Sequence, residues 1–423
     1  MIVGGGFGGL HAVRALRRAP VDVTLVDRTN YHLFQPLLYQ VATGSLSPAN
    51  IAAPLRSLVD RQKNTTVLQA KVIGFDLDAH QVLLDEGDSL PFDTLIVAAG
   101  ATHSYFGRDE WARLAPGLKT IEDATRLRAD ILSAFERAER TSNPVERDRL
   151  LTFVVVGGGP TGVELAGALS ELAHHALRHD FRRIESRDAR IYLIDAGPRV
   201  LSNFEEASSE NALKVLMRRG VTVNTGSLVT AITPTEVTIK RGDATETIAT
   251  ETVLWAAGVH ASPLARMLGE ASGAEVDRAG RVTVTPTLHL VGRPDVFAIG
   301  DMASCPGEGG KPLPGVAPVA IQQGQHVARM IADRLHGKPD QPFKYHDYGS
   351  MATIGRSAAV AELGRFRFTG YLAWLIWLFI HLMQLVSFQN RVLVLTQWAW
   401  NYVTRDRSAR LITVVPEERE HVK

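Results

Sequence analysis

The chain has 423 residues, of which 45% are hydrophobic and 22% are charged, and its formal net charge is +1. This length exceeds what one hydrophobic core usually supports, so we expect two or more domains, and a nearly neutral chain gives no case for nucleic-acid binding. Cys305 is the only cysteine. A single cysteine excludes an intramolecular disulfide framework, a Cys-x-x-Cys redox pair and a thiolate zinc site, and we predict no metal.

The start of the sequence lacks the marks of a targeting signal. No basic region leads into an apolar run and a cleavage site, so we expect no signal peptide and a reducing, cytoplasmic compartment. Only three residues precede the first glycine, fewer than the roughly five or six of a typical strand. Either a few residues of the natural N-terminus are missing or a frayed edge is tolerated.

A glycine-rich turn, Gly4-x-Gly6-x-x-Gly9, follows three apolar residues and precedes apolar residues at helical spacing. This order of strand, turn and helix is typical of a dinucleotide-binding fold, in which a pyrophosphate approaches the second glycine and the third lets the helix pack on the strand. A second predicted strand, 21–26, ends at Asp27, at the usual spacing for a carboxylate that binds a ribose hydroxyl. This context argues against an ordinary Gly-rich turn.

The next hundred residues predict further parts of an α/β domain. Residues 30–51 mix aromatic, amide, glycine and proline residues, and we predict a loop that wraps a planar ligand. Alternating apolar residues from 65 to 85 predict a small antiparallel meander. Residues 92–100 predict a buried strand that ends in small residues, which permit close backbone approach to a cofactor.

The glycine pattern recurs after a polar linker at residues 141–148. A predicted strand, 151–156, leads into Gly157-x-Gly159-x-x-Gly162 and then into an amphipathic helix. Two such patterns in one chain predict two bound dinucleotides.

The acid that completes the second pattern is Asp195, which lies 38 residues after Gly157 rather than about 20. We attribute the excess to a basic amphipathic extension at residues 174–187. Asp195 is expected to accept from an adenosine ribose 2′-hydroxyl and to repel a 2′-phosphate, which favours NADH over NADPH. Arg199 lies close in sequence and weakens that preference.

Two later segments indicate that the first domain is split. Residues 252–259 echo 95–100, and residues 295–301 form a further predicted strand ending in Gly-Asp after the second domain. We therefore predict an α/β protein with two Rossmann-like domains, the first interrupted by the second, and a C-terminal helical membrane-anchoring region. The predicted boundaries are 1–110 and 275–345 for the first domain, 111–274 for the second, and 346–423 for the C-terminal region.

Together these residues resemble the two-domain flavoprotein reductases, and among them the type II NADH dehydrogenases, which are non-pumping NADH:quinone oxidoreductases. The likeness covers nearly the whole chain. The glycine patterns are shared by the superfamily, whereas the predicted wrapping loop and a Gln-Gln segment are far more selective. The segments that carry the resemblance are 4–9, 30–40, 157–164, 297–301 and 314–324.

The resemblance implies FAD at the first site, NADH at the second, and a membrane quinone as electron acceptor. The expected cofactor-binding residues of both sites are Gly4, Gly6, Phe7, Gly8, Gly9, Asp27, Arg28, Gln35, Ala99, Gly100, Gly300, Asp301, Ala317, Gly157, Gly159, Thr161, Gly162, Asp195, Ala257 and Gly258. One departure concerns Ala317-Pro318, where some members have Ala-Gln. It leaves Gln322 and Gln323 as candidates for quinone contact.

Glu164 is the third candidate catalytic residue, and it resembles the family's glutamate that orients nicotinamide and assists proton delivery. NADH gives up a hydride that a flavin accepts, and a quinone then takes two electrons and two protons, so this chemistry needs neither a metal nor a nucleophile. The alternative for Glu164 is a helix-start carboxylate favoured by the helix dipole.

The C-terminal region is expected to decide the electron acceptor. Residues 371–380 are unbroken and apolar, too few to span a bilayer, and 391–405 repeat the character with flanking arginines. We predict a monotopic anchor on the cytoplasmic face of the cell membrane. The alternatives are a homodimer interface or a buried core helix. The aromatic residues expected to insert into lipid are Trp374, Trp377, Phe379, Trp398 and Trp400.

Three functions compete at this point. The preferred one is FAD-dependent NADH:quinone oxidoreduction. A second is another two-domain reductase, such as a ferredoxin reductase or a sulfide:quinone reductase, although the latter needs paired cysteines that Cys305 alone cannot supply. The third is a non-catalytic protein that senses redox state by binding FAD and NADH.

Overall fold

The structure is a computed structural model that describes residues 1–307, 310 and 312–413. The chain forms two compact units, each assembled from three separate segments. The first unit consists of Met1–Leu33, Ala52–Thr102 and Val259–Tyr348. The second consists of Phe34–Ile51, His103–Gly258 and the described chain from Gly349 onward. The functional domain boundaries given above stay a prediction.

The first unit is built on a six-stranded sheet. In spatial order its strands are His289–Leu290, Arg293–Ala298, Leu95–Val97, Ile2–Val3, Val23–Asp27 and Thr65–Gln69. All neighbours are parallel except His289–Leu290, which is antiparallel at one edge. Ile2–Val3 is therefore an interior strand that is buried between two partners and not a frayed edge. The prediction that 65–69 belongs to the meander is wrong, because alternating apolar residues do not reveal which strand they pair with.

Helices and small sheets complete the first unit. Its helices are Phe7–Ala15, Leu55–Leu58, Pro263–Ser272 and Ala317–Arg334, with short 3₁₀ turns at Leu16–Arg18 and Gly300–Met302. Its other strands are Tyr31–Leu33, Ala52–Pro54, Val72–Asp76, Gln81–Leu84, Ser89–Pro91, Val259–Ala261, Val282–Thr283 and Ala303–Ser304. The helices Phe7–Ala15 and Ala317–Arg334 pack so closely that a side chain at position 324 would collide with the backbone oxygen of Gly8. Gly324 permits this close approach.

The second unit contains a four-stranded parallel sheet in the order Val221–Asn224, Arg190–Ile194, Thr152–Val156 and Thr252–Trp255. Its helices up to residue 218 are Leu38–Ala42, Pro48–Ile51, Ile121–Arg140, Pro144–Leu150, Pro160–Glu171 and Glu206–Arg218. A π-turn, Leu172–Ala176, extends Pro160–Glu171, and 3₁₀ turns occupy Gln35–Leu37, Asp109–Arg113 and Ser186–Asp188. An antiparallel sheet consists of Leu228–Ile232, Glu236–Arg241 and Ala244–Ala249. Ala101–His103 is a short strand where the chain passes from the first unit to the second.

The C-terminal part of the second unit is a small sheet followed by two helices. The strands are Ser350–Gly355, Ala358–Leu363 and Phe366–Thr369, and the helices are Gly370–Gln384 and Phe388–Thr404. Within the part of the chain that the structure describes, no helix is both long enough and apolar enough to cross a bilayer.

The segment 30–51 is not the predicted loop. Leu38–Ala42 is helical and entirely buried, so it is part of the hydrophobic core of the second unit. Its apolar residues are packed among the helices of that unit. The mixed composition of residues 30–51 shows no helical periodicity, so the sequence did not predict this helix.

Candidate functional site

The first glycine turn has the geometry that its spacing predicts. Gly4 adopts a φ of +101°, and a side chain there would strike the backbone of Ala98. Gly9 faces the backbone oxygen of Gly4 too closely for any side chain. A Cβ on Gly6, in contrast, would project into open space. The turn thus leaves room for a ligand at the second glycine, as a bound pyrophosphate requires.

Asp27 lies at the end of its strand and is held over this turn. One carboxylate oxygen accepts from the Gly5 N–H at 2.5 Å, and the other accepts from the backbone N–H and the hydroxyl of Thr29 at 2.6 and 2.7 Å. These bonds fix the carboxylate in one orientation beside the glycine turn. A ribose hydroxyl is the partner that this arrangement suits.

His32 also supports the first turn, and no sequence pattern pointed to it. Its ring is fully buried, lies edge-on to Phe7 and forms a hydrogen bond of 2.9 Å between Nδ1 and the Gly5 oxygen. Burial lowers the pKa of His32 to about 4, so the ring is neutral. A carbonyl oxygen can only accept, so Nδ1 donates, and Nε2 is left buried without a partner.

The remaining predicted residues of the first unit lie in the helix after the turn, at the ends of two strands, or in later helical elements. Gly8 is buried within the helix, where a Cβ would lie 3.0 Å from Ile299, and Arg28 is exposed after the strand. The Ala99 N–H lies 3.2 Å from the sulfur of Met302, and a Cβ on Gly100 would meet nothing. Asp301 lies in a short 3₁₀ turn, and Ala317 begins a long helix.

Gln322 and Gln323 are both engaged within the first unit. The buried amide of Gln323 accepts from the Gly300 N–H at 2.7 Å. Gln322 donates to the His346 oxygen at 2.8 Å and accepts from the His346 N–H at 2.9 Å. These bonds hold the backbone around Gly300 and His346, which favours a positioning role for both glutamines.

The second glycine turn repeats the first. Gly157 has a φ of +112°, and a Cβ there would lie 2.6 Å from Ala256, while Gly162 abuts the Gly157 oxygen. Gly159 again faces open space. The exposed Thr161 and the buried glycine that follows it belong to the first turn of the helix.

Asp195 has the same relation to the second turn as Asp27 has to the first. Gly158 donates its N–H to one carboxylate oxygen, and Gly197 donates to the other at 2.6 Å. Arg199 donates to the backbone oxygens of Phe204 and Ser202 at 2.7 and 3.0 Å. These two carbonyl oxygens hold the Arg199 guanidinium, and Asp195 is the charged group that accepts from the backbone of the glycine turn. Gln35 also lies in this unit, and its amide donates to the Lys119 oxygen at 3.3 Å.

Glu164 is buried in the second turn of the helix Pro160–Glu171. Burial raises its pKa to about 8, and smaller opposing effects come from the Thr353 N–H, 3.4 Å from the carboxylate, and from the indole of Trp377. A charged helix-start carboxylate would be exposed in the first turn, so the geometry disfavours that alternative. At neutral pH the group is a carboxylic acid that can give up a proton.

The C-terminal helices each have one buried and one exposed face. Trp377 is 1% exposed and stacks on His381, with ring centres 4.2 Å apart. Trp398 donates its indole N–H to Gln40 at 2.7 Å. The expectation that Trp377 inserts into lipid is therefore wrong, because the ring faces the core of its own unit. The apolar residues exposed on the two helices include Leu372, Leu375, Phe379, Met383, Phe388, Val392, Leu395, Trp400 and Val403.

No cluster of His, Cys, Asp or Glu suited to a metal ion is found in the described ranges 1–307, 310 and 312–413. Each of the two glycine turns is bordered by one carboxylate, Asp27 or Asp195, that accepts from its backbone.

Residues 1–324 match the family described as pyridine nucleotide-disulphide oxidoreductase, and residues 348–406 match the NDH2 C-terminal domain. The chain is 47% identical to the type II NADH:quinone oxidoreductase Ndh of Mycobacterium tuberculosis, over 98% of this chain and 90% of that protein. It is 30% identical to a demethylphylloquinone reductase of Synechocystis, over 94% of each. The chain belongs to the type II NADH:quinone oxidoreductase family.

Solved structures show the same α/β fold for this type II oxidoreductase chain. The structure of NDH2 from Plasmodium falciparum in complex with NADH has a TM-score of 0.87 at 19% identity, and the match covers 98% of this chain and 99% of that one. The sulfide:quinone oxidoreductase of Aquifex aeolicus has a TM-score of 0.70, at 19% identity over 96% of this chain and 91% of that one.

Proposed function

We propose that the chain is an FAD-dependent enzyme that oxidises NADH and reduces a membrane quinone without pumping protons. The observation that carries the proposal is the matched pair of glycine turns, each with an open second glycine and a carboxylate fixed beside it. Family membership at 47% identity over nearly the whole chain supports the same reaction.

The first turn fits FAD, and the second fits NADH. Open space at Gly6 suits a pyrophosphate, and Asp27 is oriented to accept from a ribose hydroxyl. Asp195 supplies the same contact for NADH and disfavours a 2′-phosphate, because it places a negative charge where that group would lie. Bound FAD would supply the two-electron redox chemistry that links oxidation of NADH to reduction of a quinone, which also takes up two protons. We assign the remaining predicted residues to these two sites.

Glu164 is proposed to hold a proton near the reacting groups. Its burial keeps the carboxylic acid protonated at neutral pH, and a group whose pKa lies near the working pH is suited to proton transfer. Gln322 and Gln323 are proposed to act by holding the backbone around Gly300 and His346. Neither role requires a metal or a nucleophile.

The C-terminal helices are proposed to bind the cytoplasmic surface of the cell membrane without crossing it. Their exposed faces carry large apolar and aromatic side chains, which favour the interface between lipid headgroups and hydrocarbon. The competing explanation is that a second copy of the chain covers these faces and forms a homodimer. We further propose that 1–110 with 275–345 is the FAD domain, 111–274 the NADH domain and 346–423 the membrane region.

An anaerobic stopped-flow experiment tests the function. Purified full-length protein is mixed with NADH, and the absorbance of its flavin is followed before and after a short-chain quinone is added. We expect rapid bleaching and then quinone-dependent recovery. Bleaching that only a ferredoxin reverses would favour the ferredoxin reductase, and protein that binds FAD and NADH without bleaching would favour the redox sensor.

A further inference from the structure

Phe106 adopts a backbone conformation that bulky residues seldom adopt. Its φ is +52°, and its side chain is 72% exposed. In the described ranges, the other large apolar residues with positive φ are Leu201 and Leu288, which are 1% and 0% exposed. Burial in the core stabilises those two leucines, whereas most of the Phe106 side chain is exposed to solvent. Strained residues of this kind concentrate at ligand sites.

The neighbouring strand holds Phe106 in this conformation. The indole N–H of Trp255 donates to the Ser104 oxygen at 2.9 Å, and the Ser104 N–H donates to the Gly258 oxygen at 3.3 Å. Tyr105 stacks on Trp255 with ring centres 5.1 Å apart. These contacts fix the chain just before Phe106, and the Phe106 ring lies with its centre 6.4 Å from that of the Trp255 ring, which gives it a defined place.

That place is at the carboxyl end of the parallel sheet, where ligands of such sheets bind. The strand Thr152–Val156 lies between two neighbours. On one side is Arg190–Ile194, which leads directly to Asp195, and on the other is Thr252–Trp255. A Cβ on Gly157 would lie 2.6 Å from the backbone of Ala256, and a Cβ on Gly258 would lie 2.5 Å from the Phe106 ring. Asp195 and Phe106 therefore flank the glycine turn from opposite sides.

We propose that Phe106 forms the aromatic wall for the nicotinamide-ribose half of NADH. This inference rests on the function proposed above, which places the adenosine ribose at Asp195. A dinucleotide whose pyrophosphate lies at the glycine turn then extends toward the opposite side, where Gly258 and Phe106 lie. An exposed aromatic ring can stack on a nicotinamide or pack on its ribose. Gly258 leaves the room that the ring needs.

Equilibrium binding of two ligands tests the assignment. NAD⁺ contains both halves of the dinucleotide and does not reduce oxidised FAD, whereas AMP contains only the adenosine half. For Phe106→Ala, we expect the Kd for NAD⁺ to rise about five- to tenfold, which corresponds to about 1 to 1.4 kcal/mol and lies within the range that an aromatic pair contributes beyond its buried area. The Kd for AMP should stay within about twofold.

Four further variants make the result specific. Phe106→Tyr should restore NAD⁺ affinity, Phe366→Ala removes an exposed ring elsewhere in the second unit and should change neither Kd, and Asp195→Ala should weaken both ligands. Phe106→Gly should weaken NAD⁺ while raising the melting temperature, because glycine adopts positive φ without strain.

The assignment would be overturned if Phe106→Ala and Phe106→Gly both bound NAD⁺ as tightly as the parent protein does. It would also be overturned if the variants lost affinity for NAD⁺ and AMP equally, because that result would indicate a structural role for Phe106. These measurements do not use a quinone. Failure of the parent protein to transfer electrons to quinone would therefore overturn the proposed function and would be recorded separately from the binding result.

Discussion

At the scale of single residues, the proton on Glu164 links stability to pH. Its pKa is raised from an ordinary value of 4.5 to about 8 because burial disfavours the carboxylate. Between these two pH values the folded chain retains a proton that the unfolded chain releases. The free energy of unfolding therefore falls as pH rises through this window.

Glu164→Gln should remove that dependence, since the amide keeps the shape and cannot ionise. We expect the variant to melt close to the parent at pH 5 and several degrees higher at pH 8. The melting curve can be followed by tryptophan fluorescence. Glu246→Gln, at an exposed position in the same unit, is the control and should change little at either pH. An equal melting temperature for Glu164→Gln and the parent at pH 8 would show that the buried carboxyl group does not titrate in this window.

At the scale of helices and strands, sequence patterns predicted the features that depend only on neighbouring residues, namely the two glycine turns. The three-glycine spacing and the acid after the next strand follow from backbone sterics and short hydrogen bonds, so both turns could be predicted. Partners distant in sequence could not. Three features depend on contacts with segments far along the chain. They are the pairing of Thr65–Gln69, the core position of Leu38–Ala42 and the inward orientation of Trp377.

Two residues of the candidate sites, His32 and Phe106, have no local sequence pattern that points to their roles. His32 is one of several ring side chains in a segment of mixed composition, and its hydrogen bond to Gly5 joins residues 27 positions apart. Phe106 follows a residue, Ser104, that is bound by the indole of Trp255, and these two residues are 151 positions apart. Such positions are specified by tertiary packing, so composition and periodicity cannot indicate them.

The exposed faces of the two C-terminal helices make a prediction at this same scale. Phe379 and Val403 are 65% and 81% exposed. In the double variant Phe379→Ser with Val403→Ser, binding to anionic liposomes should fall more than tenfold, because burying each apolar side chain contributes about 1.5 to 3 kcal/mol. Flotation at high salt measures it, since salt screens arginine but not apolar insertion.

Ile73→Ser is the matched control, because Ile73 is an exposed apolar residue of the first unit and should not affect flotation. If the double variant floats like the parent, the membrane assignment of these faces fails. A change from dimer to monomer in light scattering would then show that the faces pack against a second copy.

At the scale of the whole chain, Arg407 joins the three segments of the second unit. Its buried guanidinium donates to the Thr43 and Ala168 oxygens and to the Glu171 carboxylate, each at 3.1 Å. Glu171 also pairs with Arg219 at 2.7 Å. One side chain near the C-terminus therefore binds residues from both earlier segments.

Arg407→Met should destabilise the second unit by about 3 kcal/mol, because it leaves buried acceptors without their donor. All six tryptophans belong to this unit, so their fluorescence during urea unfolding reports on it directly. Arg241→Met, at an exposed position of the same unit, should leave the urea midpoint unchanged. An unchanged midpoint for Arg407→Met would mean that the segments are held together without this guanidinium.

The interleaving of the two units has a consequence for synthesis on the ribosome. The first unit needs its segment ending at Tyr348, and the second needs the chain beyond Gly349, including Trp377 and Arg407. Nascent chains grow at roughly 5 to 20 residues per second, so both glycine turns emerge well before the segments that complete their units. For much of translation the hydrophobic strands around each turn lack their final partners. We therefore expect neither unit to complete its fold until the last of its three segments has left the exit tunnel.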